Sequence, residues 1–256
     1  MLFALSPAKT LDFSPAPQEL PASRPTLSAR TTELARTTRT LKAADLKRLM
    51  GISDTLADLN VQRFKSFKPR AHETGVQAAL AFAGDVYKGL DARSMSVDDL
   101  AWAQDHVRIL SGLYGVLRPL DRIQPYRLEM GVKLATDRGA DLYAFWGGDI
   151  AKSLNLAARG QGDPTLVNLA SEEYFHAVDR KTLKIPVVAC TFKEEAAGAL
   201  KVVSFYAKHA RGRMARFAVE SRAERVEDLK RFDADGYRFQ PELSSDAELV
   251  FARPHP

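Results

Sequence analysis

The stretch Ile109 to Gly131, ILSGLYGVLRPLDRIQPYRLEMG, connects an apolar run to an alternating tail through a loop rich in special backbone residues. Gly112 and Gly115 lie close together in this loop, and glycine permits positive φ and the close approach of another backbone. Pro119 and Pro125 fix φ and keep the preceding residues out of the α region. The pattern predicts a stiff, shaped loop between buried elements.

Two cations, Arg118 and Arg127, are presented from this loop. A cation on a stiff loop loses little entropy when it binds an anion, so both are candidate anion ligands. The alternative is that they cap an ordinary surface turn.

The tail from Tyr126 to Leu134 alternates with period two, which predicts a β-strand. Val107 to Ser111 is also interpreted as a strand, although it could continue the preceding helix.

Several strings of the sequence resemble those of the YaaA peroxide-stress family. They are SGLYGVLRPLD followed by QPYRLEMG, the opening LSPAKTLDF, FAGDVYKGL at Phe82 to Leu90, NLASEEYF at Asn168 to Phe175, and FYAKHARG at Phe205 to Gly212. The resemblance extends from the first residue nearly to the last. It implies a protein of the peroxide response that binds duplex DNA through a helix-hairpin-helix and a positively charged cleft, and that is associated with lower free intracellular iron. Such motifs specify a family more strongly than a biochemical activity.

Composition narrows the class of protein. The chain has 256 residues, 45% of them hydrophobic, which is ordinary for a globular protein. No apolar run is long enough to span a bilayer and the start lacks a signal peptide, so we expect a cytoplasmic protein with no membrane partner. The net charge of +5 favours polyanionic partners. The single cysteine, Cys190, excludes an internal disulfide and is interpreted as a small core residue on a buried strand.

The order of elements predicts an α+β fold in one domain spanning residues 1–256, with a mixed sheet surrounded by helices and a helix-hairpin-helix-like insertion. Helices dominate the first part and strands the last. We expect one sheet to contain both Leu2 to Leu5 and Tyr126 to Leu134. Further expectations are a helix from about Glu73 to Ala83 and a strand from Leu200 to Tyr206.

The helix-hairpin-helix-like element is predicted at residues 43–66. Ala43 to Met50 forms a first helix, Gly51-Ile52-Ser53 a tight turn and Asp54 to Phe64 a second helix. Free backbone N–H groups at such a turn can hold a DNA phosphate without reading bases. The candidate DNA-binding residues are Lys47, Arg48, Gly51, Ile52, Ser53, Arg63 and Lys65. The turn has one glycine where such hairpins usually have two, and the alternative is an ordinary pair of short helices.

A second cationic site is predicted where strands meet loops. Lys9 follows the first strand, and Lys208 and Arg211 lie in the first turns of a helix expected from Ala207 to Arg222. Cations at a helix N-terminus oppose the helix macrodipole, so their placement suggests an anion. With Arg118 and Arg127 they are expected to converge on one pocket if the strands share a sheet. The alternative is that they are surface side chains.

Motifs for metals, cofactors and catalysis are nearly absent. Glu173-x-x-His176 has the spacing of half a di-iron site, but the sequence holds no second Glu-x-x-His. No hydrolase, zincin or dinucleotide motif occurs. We therefore assign no catalytic residue, no metal ligand and no cofactor.

Two functions stay open at this stage. The first is a cytoplasmic peroxide-stress protein that binds double-stranded DNA independently of sequence and helps limit iron-driven damage. The second is an enzyme acting on an anionic small molecule, with Lys9, Arg118 and Arg127 as ligands and Glu129 or Tyr126 as the acid or base. The oligomeric state is left open.

Overall fold

The computed structural model of the chain describes residues 1–69, 74–196 and 198–255. Its helices are α1 (Ser28–Thr40), α2 (Ala43–Met50), α3 (Asp54–Ser66), α4 (Ala78–Ala81), α5 (Asp85–Leu90), α6 (Val97–His106), α7 (Leu142–Trp146), α8 (Asp149–Ala158), α9 (Glu172–Phe175), α10 (Ser204–Glu220) and α11 (Val226–Leu229). Within the described residues, no helix combines the length and the apolar composition that a bilayer crossing needs.

The strands are β1 (Leu2–Leu5), β2 (Val76–Gln77), β3 (Val107–Ser111), β4 (Gly115–Leu117), β5 (Arg122–Ile123), β6 (Leu166–Leu169), β7 (Val187–Ala196), β8 (Ala199–Lys201), β9 (Arg238–Phe239) and β10 (Glu248–Pro254). Across the described residues, one sheet has the order β4-β3-β1-β6-β7-β10-β9, with β8 paired to β7. The short strands β2 and β5 pair separately. The fold is a mixed sheet surrounded by helices, as predicted.

The centre of the sheet is parallel and buried. Strand β1 pairs in parallel with β3 on one side, where Phe3 is opposite Val107, and with β6 on the other, where Phe3 is opposite Val167. Strands β6, β7 and β10 continue the parallel run, while β4, β8 and β9 are antiparallel additions. The side chains of β1 have no exposed surface, as a run of consecutive apolar residues in a parallel strand requires. These side chains therefore form part of the hydrophobic core.

Helices α5 and α10 pack with their backbones in contact. A Cβ atom on Gly212 would lie 1.8 Å from the carbonyl oxygen of Val86, and one on Gly89 would lie 2.2 Å from that of His209. Only glycine fits at both positions, because real Cβ atoms do not approach a carbonyl this closely. The two glycines therefore hold α10 against α5, and α10 also contacts β1, β6 and β7.

The segment from Tyr126 to Leu134 corrects one prediction, because it is not a strand. Its alternation is real: Tyr126, Met130 and Leu134 are buried. However, its backbone forms local hydrogen bonds, such as Val132 N–H to the Glu129 carbonyl, and among the described residues it pairs with no strand of the sheet. Instead it crosses Gly112, where a Cβ atom would lie 2.2 Å from the Leu128 carbonyl oxygen. An alternating pattern indicates that one side of a segment is buried. A loop that packs against a glycine backbone can show this pattern without pairing to a strand.

Two further segments differ from expectation. The predicted strand from Leu200 to Tyr206 ends at Lys201, and α10 begins at Ser204. Its apolar side chains mislead because Val202 and Phe205 are more than half exposed. The predicted helix start at Glu73 lies outside the described residues. From Val76 the chain pairs with β5 before the short helix α4, so that helix is shorter than predicted.

Candidate functional site

The hairpin element consists of α2, the turn Gly51-Ile52-Ser53 and α3. Gly51 ends α2 in the left-handed region with φ of 61°, a conformation that favours glycine. Ser53 caps the N-terminus of α3, and its hydroxyl accepts the Leu56 N–H. Leu46 and Phe64 are buried between the helices and the rest of the protein. The two helices and the turn therefore lie where the local signals predicted them.

The tip of the turn carries unused backbone donors. Among the described residues, the N–H groups of Ile52 and Ser53 have no acceptor within the protein. The first N–H groups of α3 also have no intrahelical acceptor, as at every helix start. A side chain on Gly51 would meet no atom within 4 Å, so the turn is open to solvent at Gly51, whereas the Ile52 side chain is buried. This arrangement can accept an anion at the start of α3.

Cations flank the turn, although two of them form ion pairs. Lys47 Nζ lies 2.8 Å from Asp54 Oδ1, and Arg48 Nη2 lies 3.2 Å from Asp45 Oδ1. All four side chains are partly exposed, so these pairs can exchange for other partners at little cost. Lys65 is exposed. Arg63 is half-buried, and desolvation by burial lowers its pKa.

The hairpin is attached to the central loop. The Gln124 side chain forms two hydrogen bonds with the backbone of Lys68. Its Oε1 atom accepts the Lys68 N–H at 2.9 Å, and its Nε2 atom donates to the Lys68 carbonyl at 2.7 Å. The Gln124 N–H in turn donates to the Tyr114 hydroxyl at 2.9 Å. The exit of α3 is thus fixed to the Ile109 to Gly131 stretch. A rigid support of this kind positions the hairpin relative to the sheet.

Lys9 and Arg127 do meet, as predicted, but they share a carboxylate. Glu129 Oε1 lies 3.4 Å from Lys9 Nζ and 3.0 Å from Arg127 Nη2. Glu129 is buried, and among the described residues its Oε2 atom has no hydrogen-bond partner. The cavity bordered by these groups is only about 10 Å³. Both cations therefore already have a protein carboxylate as partner, which compensates one of their two positive charges.

Tyr126 is unsuited to general base catalysis. It is buried, its hydroxyl lies 2.6 Å from Ser111 Oγ, and burial raises the pKa of Tyr126 well above its ordinary value. A phenol in this state keeps its proton at neutral pH. Tyr126 therefore fixes the loop to the end of β3, and of the acid and base roles considered for it from the sequence, the raised pKa argues against the base.

Arg118 lies away from this cluster. In the β3–β4 pair Leu117 is opposite Ile109, so Arg118 follows β4 toward the amino end of β3. Lys9 follows the carboxyl end of β1, which runs parallel to β3. Arg118 Nη2 donates to Asp121 Oδ1 at 3.0 Å and to the Arg24 carbonyl. The structure thus places Arg118 toward the amino ends of β1 and β3, whereas Lys9 lies beyond the carboxyl end of β1, and contradicts their expected convergence.

Lys208 and Arg211 also separate. Both lie on α10, but Lys208 is exposed whereas Arg211 is half-buried and borders a crevice beside β6 and β7. Cys190, on β7, borders the same crevice and is buried, as predicted from the sequence. The predicted cationic pocket is therefore divided among four places: the Lys9–Arg127–Glu129 cluster, the Arg211 crevice, Arg118 with its partner Asp121, and the exposed Lys208.

Glu173 and His176 have other structural contacts. Glu173 Oε1 accepts the Gly131 N–H at 3.0 Å, and the His176 ring packs edge-to-face on Tyr143. No group of three or more potential metal-ligating side chains occurs in the part of the chain that the structure describes.

A sequence model of the peroxide stress protein YaaA family matches residues 1–243. The chain belongs to the peroxide stress protein YaaA family. It is 60% identical over 256 residues to a UPF0246 protein of Caulobacter vibrioides, with both chains fully covered. A UPF0246 protein of Phenylobacterium zucineum is also 60% identical, over 100% of this chain and 96% of its own. One from Delftia acidovorans is 54% identical over 99% and 98% of the two chains.

The strings that suggested the YaaA family have structural explanations. FAGDVYKGL and FYAKHARG supply Gly89 and Gly212, which permit the α5–α10 contact. SGLYGVLRPLD supplies Gly112, against which the Leu128 carbonyl packs. Sequence reasoning missed two features, the neutralising role of Glu129 and the crevice at Arg211. Asn168 and Ala170 border that crevice within NLASEEYF, and their position at a strand end was the available signal.

Proposed function

We propose that the protein is a cytoplasmic member of the peroxide-stress response that binds double-stranded DNA independently of sequence through the α2–α3 hairpin. Binding uses backbone phosphates. We further propose that this binding helps limit iron-driven oxidative damage to DNA. Membership of the peroxide stress protein YaaA family supports the stress role, and the hairpin geometry supports the mode of binding.

The turn at Gly51 is the observation that carries the proposal. Its left-handed φ turns the chain directly from α2 into α3, which leaves the Ile52 and Ser53 N–H groups without an acceptor among the described residues. Backbone N–H groups and a helix N-terminus bind phosphate oxygens and carry no base-specific information. Binding at this turn should therefore be independent of sequence.

The surrounding charge supports the same interaction. Lys47, Arg48 and Lys65 are exposed and belong to the two helices that flank the turn. Each phosphate that a cation neutralises releases condensed counterions, which favours binding at low salt. Asp54 opposes this effect because its carboxylate lies at the start of α3 and pairs with Lys47. A bound phosphate would replace Asp54 as the ion-pair partner of Lys47.

The enzyme alternative has less support at its predicted location. Glu129 forms ion pairs with both Lys9 and Arg127. The adjacent cavity of about 10 Å³ is too small for a substrate. A substrate anion would have to displace a buried carboxylate. Displacement would leave that carboxylate without its partners, at a cost of several kcal/mol.

A salt titration with two unrelated duplexes tests the proposal. Fluorescence anisotropy would give Kd for each duplex at several salt concentrations. We expect similar Kd values for the two sequences and a linear fall of log K with log salt, with a slope of about −0.9 for each phosphate contacted. A strong preference for one duplex, or a Kd independent of salt, would contradict backbone binding.

A test in cells addresses the stress role separately. A strain lacking this protein would be complemented with the wild type or with a variant in which Lys47, Arg48 and Lys65 are alanine, and then exposed to hydrogen peroxide. We expect the variant to restore neither survival nor protection against DNA lesions, although its abundance equals that of the wild type. Full protection by a variant with weakened DNA binding would separate the stress role from DNA.

A further inference from the structure

A crevice opens where β6 ends and β7 continues. In the β6–β7 register Asn168 is opposite Ala189, so β6 ends at Leu169 while β7 extends to Ala196. The chain after β6 turns away from the sheet, which leaves β7 uncovered on that side from about Cys190 until β8 pairs with it at Glu194. The resulting space is about 740 Å³, a volume typical of small-molecule sites at the carboxyl ends of sheet strands.

The crevice contains a guanidinium that the protein does not neutralise. Arg211 projects from α10 to its wall, and the buried Arg211 Nε atom has no hydrogen-bond partner among the described residues. Within the same residues, no carboxylate forms an ion pair with it. Burial lowers the pKa of Arg211, which reflects the loss of water around the charge. A half-buried cation without a partner is unfavourable unless an anion joins it.

The carboxylates nearest the crevice have other partners or lie at its mouth. Asp179 accepts the Thr182 hydroxyl and the Lys181 N–H. Glu248 accepts the Thr191 hydroxyl at 2.6 Å. Glu172 is exposed at the rim. None of them compensates the charge of Arg211.

A helix start borders the crevice, and its first residue, Asp149, is a carboxylate that pairs with Arg30. Gly147 and Gly148 line the wall of the crevice and lead directly into α8, a helix of 10 residues. The N-terminal end of a helix has a partial positive charge that stabilises a nearby anion. Tyr143 and Phe175 line another part of the crevice and provide apolar surface. The site thus combines a cation, a helix start and aromatic walls.

We propose that this crevice binds a small organic anion that carries a phosphate or a carboxylate group, with the Arg211 guanidinium as its principal contact. The planar guanidinium accepts either group through two parallel N–H donors. The aromatic walls contact the organic part of the ligand. This site is separate from the α2–α3 hairpin and does not depend on DNA binding.

Thermal melting with four probes tests the chemistry of the ligand. Phenyl phosphate and benzoate each combine a ring with one anionic group, whereas phenol lacks the charge and inorganic phosphate lacks the ring. We expect phenyl phosphate, benzoate or both to raise Tm in a concentration-dependent manner, and phenol to have no effect. The stronger of the two anions identifies the group that the site prefers. An equal effect of phenol, or an effect of inorganic phosphate alone, would overturn the proposal, as would no effect of any probe.

Two variants of α10 test the role of Arg211. Arg211→Met removes the charge but keeps much of the side-chain length, and Lys208→Ala removes an exposed charge from the same helix. We expect R211M to weaken binding of the effective probe at least about tenfold, because a charge-assisted bidentate contact is lost, while K208A binds normally. Equal loss in both variants would indicate a general charge effect and contradict the site.

Backbone amide chemical shifts of the wild-type protein locate the probe without any substitution. We expect shifts at Gly147, Ala170 and Cys190 and none at the hairpin turn. Shifts confined to the hairpin would place the anion there and overturn the assignment of the crevice.

Discussion

Lys47 Nζ lies 2.8 Å from Asp54 Oδ1 and thereby connects the last turn of α2 to the first turn of α3. The Asp54 carboxylate stabilises the N-terminus of α3. However, it also forms an ion pair with a cation next to the turn, and it would repel a phosphate. We therefore expect Asp54→Asn to tighten duplex binding by about 1 kcal/mol, or about fivefold in Kd. Anisotropy titration at low salt measures the change.

Asp58→Asn is the matched control, because Asp58 is an exposed acid one turn further along α3. Both variants remove one negative charge, so a general charge effect would improve binding equally. Weaker DNA binding by D54N, or the same improvement in both variants, would argue against phosphate binding at the turn.

The ion pair between Arg127 and Glu129 provides a test of the enzyme alternative. Replacing Arg127 by Met leaves the buried Glu129 with only Lys9, at 3.4 Å, so we expect urea denaturation to show a loss of about 2 kcal/mol or more. Glu129→Gln added to that variant should restore part of the stability, because no carboxylate then lacks its partner. DNA affinity should be unchanged in both variants. An R127M protein of full stability would indicate that Arg127 is free to bind a ligand.

Cys190 is expected to be inert toward peroxide. It is the single cysteine of the chain, it is buried, and desolvation raises the pKa of its thiol to about 12. Since the thiolate is the reactive form, hydrogen peroxide should oxidise it slowly. Mass spectrometry should detect little sulfenic acid after exposure of the folded protein, and Cys190→Ala should protect cells as well as the wild type. Rapid oxidation, or loss of protection in C190A, would point to a redox function of the thiol.

Local signals in the sequence predicted much of the fold. The apolar run of β1 and the glycine that ends α2 each act over a few residues, and each is found where expected. Tyr126 to Leu134 was predicted wrongly because burial of alternate side chains does not require a partner strand. Its partner is the backbone at Gly112, a contact between distant residues that no local pattern reports.

The candidate sites were harder to predict because they depend on which ends of the strands meet. Lys9 and Arg127 come together, but the antiparallel return of β4 takes Arg118 toward the amino end of β3, away from Lys9. Arg211 was selected because it was expected in the first turns of its helix, but α10 begins at Ser204 and Arg211 lies about two turns further along, so its role as an anion ligand stays a prediction. The crevice beside it results from the unequal lengths of β6 and β7, which no local pattern reports. The position of the hairpin relative to the sheet likewise depends on the long-range bonds between Gln124 and Lys68.

The measurement that tests the central claim most directly compares two triple variants in duplex binding. One replaces Lys47, Arg48 and Lys65 at the hairpin by alanine, and the other replaces Lys152, Arg159 and Lys184, which are exposed outside it. Both remove three positive charges, and exposed substitutions of this kind change stability by less than about 0.5 kcal/mol each. Circular dichroism melting would verify that both proteins are folded.

The account predicts that the hairpin variant loses at least about tenfold in affinity and that its salt slope becomes shallower by about one for each lost phosphate contact, while the control variant stays close to the wild type. Equal affinity of the two variants, or a larger loss in the control, would contradict DNA binding at the α2–α3 hairpin.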